Sequence, residues 1–223
     1  MDLKNILLLI TVGLNLGLAF FLFNKRPRNR ITISFSLLLV LISLWGFEIA
    51  MFRASSDPES LKYLFSSFYL TAALISINFY IFCLYFPYEL KRVQLATYIF
   101  IFSSSIFITL LIFYGGIATQ ILYDPSFNHE VRLSIFNYFL YCVFFCAYII
   151  ASFKVLIRKY RATASFNKKA ILIVIIATAI AAIAGIVFDL VVPLYTYRFI
   201  WIGPYFTAVM VLILVRYLFI RNE

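Results

Sequence analysis

The chain has 223 residues and a net charge of +10, with 65% hydrophobic and 13% charged residues. A soluble domain has about a quarter charged residues, so this composition excludes an ordinary water-soluble fold. The positive charge sits in short connectors along one expected membrane face, not on a folded basic surface, which argues for anionic lipid headgroups and against a nucleic-acid partner.

Seven apolar stretches follow one another, at about 6–23, 31–52, 63–86, 95–117, 133–153, 170–190 and 199–219. A helix rising 1.5 Å per residue needs about 20 residues to cross the ~30 Å hydrocarbon core. Each stretch is long enough, so the sequence predicts an all-α, polytopic membrane protein: a single seven-transmembrane-helix bundle over residues 1–223. Lys4 ahead of the first stretch resembles a signal peptide's n-region, but no small-x-small cleavage site ends the run, and the basic cluster Lys25-Arg26-Pro27-Arg28-Asn29-Arg30 follows it. The first helix is therefore expected to be retained. Its Gly13 and Gly17 form a GxxxG pair, and Ala177, Ala181 and Gly185 make a small-residue stripe in the sixth stretch. Both patterns allow close helix packing, within the bundle or in a homodimer, with contact inside the bundle favoured. Pro87 ends the third stretch, and Gly115-Gly116 closes the fourth. The connector 118–132 is expected to lie partly on the membrane surface. Gly203-Pro204 starts or kinks the seventh helix.

The connectors sort by charge. Residues 24–30, 87–94, 154–169 and the tail from 216 hold 14 of the 19 Lys and Arg, against 5 on the opposite side. The positive-inside rule then places the N-terminus outside and the C-terminus in the cytoplasm, in a plasma (inner) membrane.

Ionisable residues inside a span are costly and are candidates for function. Glu48 and Asp189 stand out, each close to the outer end of its span, with Arg53 and Arg198 at the same expected depth. One account is two interfacial acids neutralised by two snorkelling arginines. The other is a polar cluster at an outward-facing cavity that receives a signal. The first is simpler for each residue taken singly; the shared depth favours the second for the set. Trp45 lies one turn below Glu48, and Trp201 begins the seventh span. Aromatic-belt anchoring explains both, with a ligand pocket as the alternative. Trp45, Glu48, Arg53, Asp189, Arg198 and Trp201 are thus the candidate ligand-binding set. Asn15, Asn78 and Asn137 are expected to hydrogen-bond between helices, and Ser103, Ser104 and Ser105 to return their hydroxyls to their own backbone. His129, the only histidine, is expected as a solvated loop residue, with proton sensing as the alternative.

Enzyme chemistry has little to work with. The sequence contains no HExxH, no P-loop and no Cys/His metal cluster. Cys83, Cys142 and Cys146 lie inside spans, where packing is the expected role, so neither metal nor cofactor is expected. The seventh span has no lysine for a retinal Schiff base. Catalytic residues are expected to be none.

The run Asn24-Lys25-Arg26-Pro27-Arg28-Asn29-Arg30 followed by an apolar stretch to Leu44-Trp45-Gly46 resembles the start of the histidine kinase N-terminal seven-transmembrane region family. Phe188-Asp189-Leu190-Val191-Val192-Pro193, then Trp201-Ile202-Gly203-Pro204-Tyr205-Phe206-Thr207 and Leu214-Val215-Arg216-Tyr217, resemble that family's close. The resemblance covers essentially the whole chain; Asp189 stands where Asn is common. It implies a sensory input module of a bacterial two-component system, followed by a cytoplasmic output such as a histidine kinase or a cyclic-dinucleotide enzyme. The expected cytoplasmic segments hold no phosphoacceptor histidine, and the chain stops at Glu223, where an output linker would begin. Any kinase activity is therefore expected in a further C-terminal part or in a separate partner. The expectation is a non-catalytic sensor whose seventh helix carries a change past Arg216 and Tyr217. The alternatives are a small permease or solute-binding membrane protein, and an assembly partner dimerising through Gly13 and Gly17.

Overall fold

The computed structural model describes residues 3–24, 29–88, 94–124, 129–163 and 165–220. Local chemistry sets the first helix boundaries. Helix α1 is Leu3–Asn24 and α2 is Arg30–Ala54. The Asn29 side chain caps α2 by accepting from the Thr32 amide at 2.8 Å. Helix α3, Pro58–Tyr85, begins behind Asp57, whose carboxylate accepts from the Ser60 amide at 2.8 Å, with Pro58 in the first turn. Helix α4, Leu95–Leu110, widens into a π turn at Leu111–Gly116 and stops at Gly116, whose φ of 71° suits only glycine readily. Strands β1, Ala118–Leu122, and β2, Glu130–Leu133, form an antiparallel hairpin with Gln120 opposite Arg132. Helix α5 is Ile135–Ala162 and α6 is Ser165–Gly185; α6 continues as a π turn, Ile186–Val191, and a 3-10 turn, Val192–Leu194. Helix α7 is Gly203–Val215, followed by a π turn at Arg216–Ile220.

All seven expected helices are present in order, six of them long and apolar enough to span a membrane and the seventh shorter. The boundaries differ instructively. The fifth, expected over 133–153, runs nine residues further, because Lys154–Ala162 holds no Gly or Pro to stop it. The regular part of the seventh begins at Gly203, not at 199, since Pro204 suits a first turn. The connector 118–132, expected to lie partly on the membrane surface, contains the hairpin.

Helices α2 and α3 form the centre: 67% and 56% of their spans are buried, against 22% for α1 and 17% for α4, which therefore face lipid. Exposed Leu14, Phe20, Phe102, Phe136 and Ile183 make up part of that lipid-facing surface. The core is divided into two packed clusters. One, toward the basic connectors, contains Leu22, Phe35, Leu39, Phe82, Leu156, Val174 and Leu214. The other, toward the hairpin, contains Ile49, Phe52, Phe65, Phe68, Tyr138, Tyr141 and Ile200.

Polar side chains tie helices together. Asn78 donates to the Ser34 carbonyl at 2.9 Å, joining α3 to α2. Asn137 donates to Gly115 and Gly116 at 2.7 and 3.0 Å, closing the π turn of α4. Both make the interhelical bonds expected of them; the amide nitrogen of Asn15 is buried without a partner. Ser104 and Ser105 return to the Ile101 carbonyl as expected. Lys159 was read as part of a basic connector but is fully buried on α5. Its ammonium donates to the carbonyls of Cys83, Leu84, Phe86 and Tyr88 at 2.6–3.0 Å, gathering the frayed end of α3.

Candidate functional site

Where the two core clusters meet, packing leaves a cavity of about 90 Å³. One water needs about 10–15 Å³, so there is room for a small organic group. Its walls come from α2 (Leu38, Ile42, Trp45), α3 (Phe68, Tyr69, Phe79), α5 (Tyr141, Phe145), α6 (Thr178, Ala181, Gly185), the π turn (Asp189) and α7 (Thr207, Met210).

Proline chemistry places Asp189 on this wall. Pro193 has no N–H and cannot bond the Asp189 carbonyl four residues earlier. The Val192 amide instead reaches back five residues to Val187, which widens the helix. Tyr138 of α5 covers the freed carbonyls: its hydroxyl donates to Leu190 at 2.7 Å and reaches Asp189 at 3.4 Å. The Asp189 side chain then lies against the first residue of α7. A Cβ on Gly203 would stand 2.1 and 2.4 Å from its two carboxylate oxygens.

Both Asp189 oxygens are shut off from solvent and have no hydrogen-bond partner. Several neighbouring hydroxyls already donate elsewhere. Thr178 and Thr207 donate to the Val174 and Pro204 carbonyls at 2.6 and 2.7 Å. The hydroxyls of Tyr69 and Tyr197 meet at 3.0 Å, and Tyr141 donates to the Tyr69 carbonyl at 3.2 Å.

Of the six candidate ligand residues, the structure brings Trp45 and Asp189 to this one cavity. Glu48 turns toward α3, where one oxygen accepts from Ser67 and the other is buried without a partner. Arg53 does not snorkel: it is buried, and its Nε donates to Asn5 of α1 at 2.9 Å. The expected Glu48–Arg53 neutralisation is absent because residues five apart point roughly 140° away from each other around a helix. Arg198 is exposed and lines a surface groove of about 580 Å³ with Arg132, Glu130 and Asp124, beside the hairpin. Trp201 donates from its indole N–H to the Arg198 carbonyl at 3.0 Å, while the Lys4 ammonium stands 5.1 Å over its ring. It fastens the start of α7 to the start of α1.

His129 is not the solvated loop residue expected. It is buried beneath the hairpin. Its Nδ1 accepts from the Asp124 amide at 3.1 Å, so Nε2 carries the proton and donates to the Phe52 carbonyl at 3.1 Å. Burial, more than any other influence, holds this imidazole below its ordinary pKa of 6.5, partly offset by its backbone hydrogen bonds. Among the small residues, Ala177 and Ala181 are buried in α6, and Gly185 approaches Asp189. Gly13 and Gly17 face open space, so the intrachain packing expected of them is not made. Arg216 and Tyr217 lie on the terminal π turn, with Arg216 exposed.

Sequence reasoning missed the tyrosines and Lys159. Sixteen tyrosines in an aromatic background conceal the four that matter. Lys159 was detectable by spacing: Tyr138, Tyr141, Tyr148, Ser152, Leu156 and Lys159 form the buried stripe of α5 at steps of three, four and seven. Among the described residues no group of three or more His, Cys, Asp or Glu is placed to hold a metal ion, and the three cysteines are free thiols.

No curated protein and no solved structure matches this chain. The family described as the N-terminal 7TM region of histidine kinase matches residues 7–220. That match runs from the first helix through the terminal π turn and agrees with seven helices in chain order. The chain therefore belongs to the family of N-terminal seven-transmembrane regions of histidine kinases.

Proposed function

We propose that this chain is the non-catalytic input module of a membrane signalling protein. It receives a signal from outside or from within the bilayer and passes it through α7 to a cytoplasmic output such as a histidine kinase. The observation that carries this reading is the double position of α7. Thr207 and Met210 line the internal cavity, and the same helix continues through Arg216 and Tyr217 toward the basic, C-terminal end. An occupant that prefers one packing of these walls biases α7 by the difference in its affinity for the two packings. The charge sorting supports an N-terminus outside and a C-terminus in the cytoplasm, in a plasma (inner) membrane with anionic lipid at the basic face. The outward-facing Gly13 and Gly17 support a homodimer through α1.

The test is a fusion of this chain to a cytoplasmic kinase with a phosphorylation readout. Insertions of one, two and three residues after Phe219 rotate the output about 100° per residue, and output is expected to vary with the inserted number. Individual Glu48→Gln and Asp189→Asn substitutions are expected to shift the resting level. Output indifferent to every insertion and both substitutions would remove coupling through α7.

A further inference from the structure

The cavity has aromatic residues in its lining, and the unmatched Asp189 carboxylate is held in its wall, turned against Gly203. An ionised carboxylate kept from both water and donors costs several kcal/mol unless a proton or a cation neutralises it. Neither Asp189 oxygen has a donor, whereas the Thr178, Thr207 and Tyr141 hydroxyls of the same lining donate to backbone carbonyls. Trp45, Phe68, Tyr69, Tyr141 and Phe145 present rings to the same space, and aromatic faces attract cations. The remaining wall is apolar, from Leu38, Ile42 and Met210, and empty space beside it forgoes dispersion contacts that an apolar body would supply. A small apolar body bearing an ammonium group meets all three conditions.

We infer that the cavity binds a small lipophilic amine, its ammonium donating to Asp189 and its apolar body packed against Trp45, Tyr69 and Tyr141. The site deepens the input-module reading and rests on it for its consequence, not for the binding itself. The carboxylate, not the ammonium, is what stands between the end of α6 and the first residue of α7, since it lies against Gly203. Drawing the carboxylate toward the cavity relieves that contact and lets α7 approach α6. A neutral molecule of the same shape fills the space without moving the carboxylate.

The test uses the full chain in detergent, with isobutylamine and its neutral counterpart isobutanol as probes. Tryptophan emission is the readout, because Trp45 lines the cavity. Isobutylamine is expected to give a saturable change with an affinity at least tenfold above that of isobutanol. Asp189→Asn is expected to bring the amine down to the alcohol's affinity, in a chain whose folding is checked by thermal melting. If that variant does not fold, the comparison of the two probes in the unsubstituted chain decides alone. Equal affinity for both probes, no saturable change with either, or unaltered amine binding in folded Asp189→Asn overturns the assignment. Failure of amine binding while the kinase fusion still responds to insertions removes the amine and leaves the input module. A response lost in the fusion while amine binding persists removes the input module and leaves the site.

Discussion

Gly203→Ala is the most sharply defined perturbation of the Asp189 site. The added methyl would lie 2.1 Å from Oδ2, 2.4 Å from Oδ1 and 2.6 Å from Cγ of Asp189, about 1.3 Å inside ordinary contact for the closest pair. Rotation about the terminal bond of the carboxylate does not relieve this, because Cγ itself is too close. On the other side Gly185 carries no Cβ, and one built there would stand at an ordinary 3.6 Å from Oδ2, so the carboxylate has about a methyl's width in which to shift. The side chain must change its rotamer or α7 must move away from α6. Overpacking of this kind costs about 1–3 kcal/mol. In an Asp189→Ala background the obstruction is gone, and the same substitution should cost under about 0.5 kcal/mol, with alanine's better helix propensity acting in its favour. The difference is a coupling of about 1–3 kcal/mol between adjacent residues. Reversible unfolding in mixed micelles, followed by tryptophan emission, measures all four chains of the cycle. An equal cost for Gly203→Ala in both backgrounds would falsify the idea that Asp189 is what requires glycine at 203.

Three further outcomes follow from the same geometry. Lys159→Met strips the donor from four carbonyls at the end of α3 and should destabilise the chain by about 3 kcal/mol in the same micelle assay; a loss below about 1 kcal/mol would show that those carbonyls find other donors. His129 is held below its ordinary pKa, so the folded chain binds fewer protons there than the unfolded chain. Its stabilisation is complete above about pH 6.5 and is lost as pH falls through the lower, folded value. Exchange at the Asp124 amide, corrected for intrinsic rate, should therefore quicken on acidification, and His129→Gln should abolish the pH dependence; an unchanged profile in that variant would assign the effect to Asp124, Glu130 or another group. Gly17→Leu should weaken self-association of the chain in a bilayer dimerisation assay at least fivefold while leaving thermal melting within about 2 °C, because among the described residues nothing beyond its own helix turn lies within 4 Å of a Cβ there; a large drop in melting temperature without a change in association would contradict packing between copies.

The fold was legible because its signal is physical and redundant. Seven runs of apolar residues must each satisfy their own backbone in lipid, and helices are the available solution. Helix ends were legible where a residue acts locally, as Pro87 does; the third helix, expected from 63, begins at Pro58 instead, and ends are illegible where the stop is tertiary. Lys154–Ala162 lacks a Gly or Pro and keeps the buried spacing, so α5 can continue, but the carbonyls its ammonium meets lie more than seventy residues earlier in the chain. Depth along the membrane could be read from position in each span, which is why Glu48, Arg53, Asp189 and Arg198 were grouped. Azimuth around each helix could not, and it separates them: Asp189 is in the cavity lining against Gly203, Glu48 faces Ser67, Arg53 faces Asn5 and Arg198 faces solvent. The displacement of Asp189 also depends on a π turn, which the position of Pro193 foreshadows but whose repair by Tyr138 no local pattern shows.

Lys159 has a consequence for the arrangement of the bundle. Helices α3 and α5 run in the same direction: Tyr141 meets Tyr69, Phe153 meets Phe79, and Lys159 meets Cys83 through Tyr88. Parallel neighbours align their peptide dipoles head by head, which sets two partial negative charges, each about half an electron, side by side at their last turns. Antiparallel neighbours cancel this field; parallel ones must tolerate it. The ammonium of Lys159 supplies a full positive charge between the two ends, so a repulsive pairing of helices becomes one held by its own field.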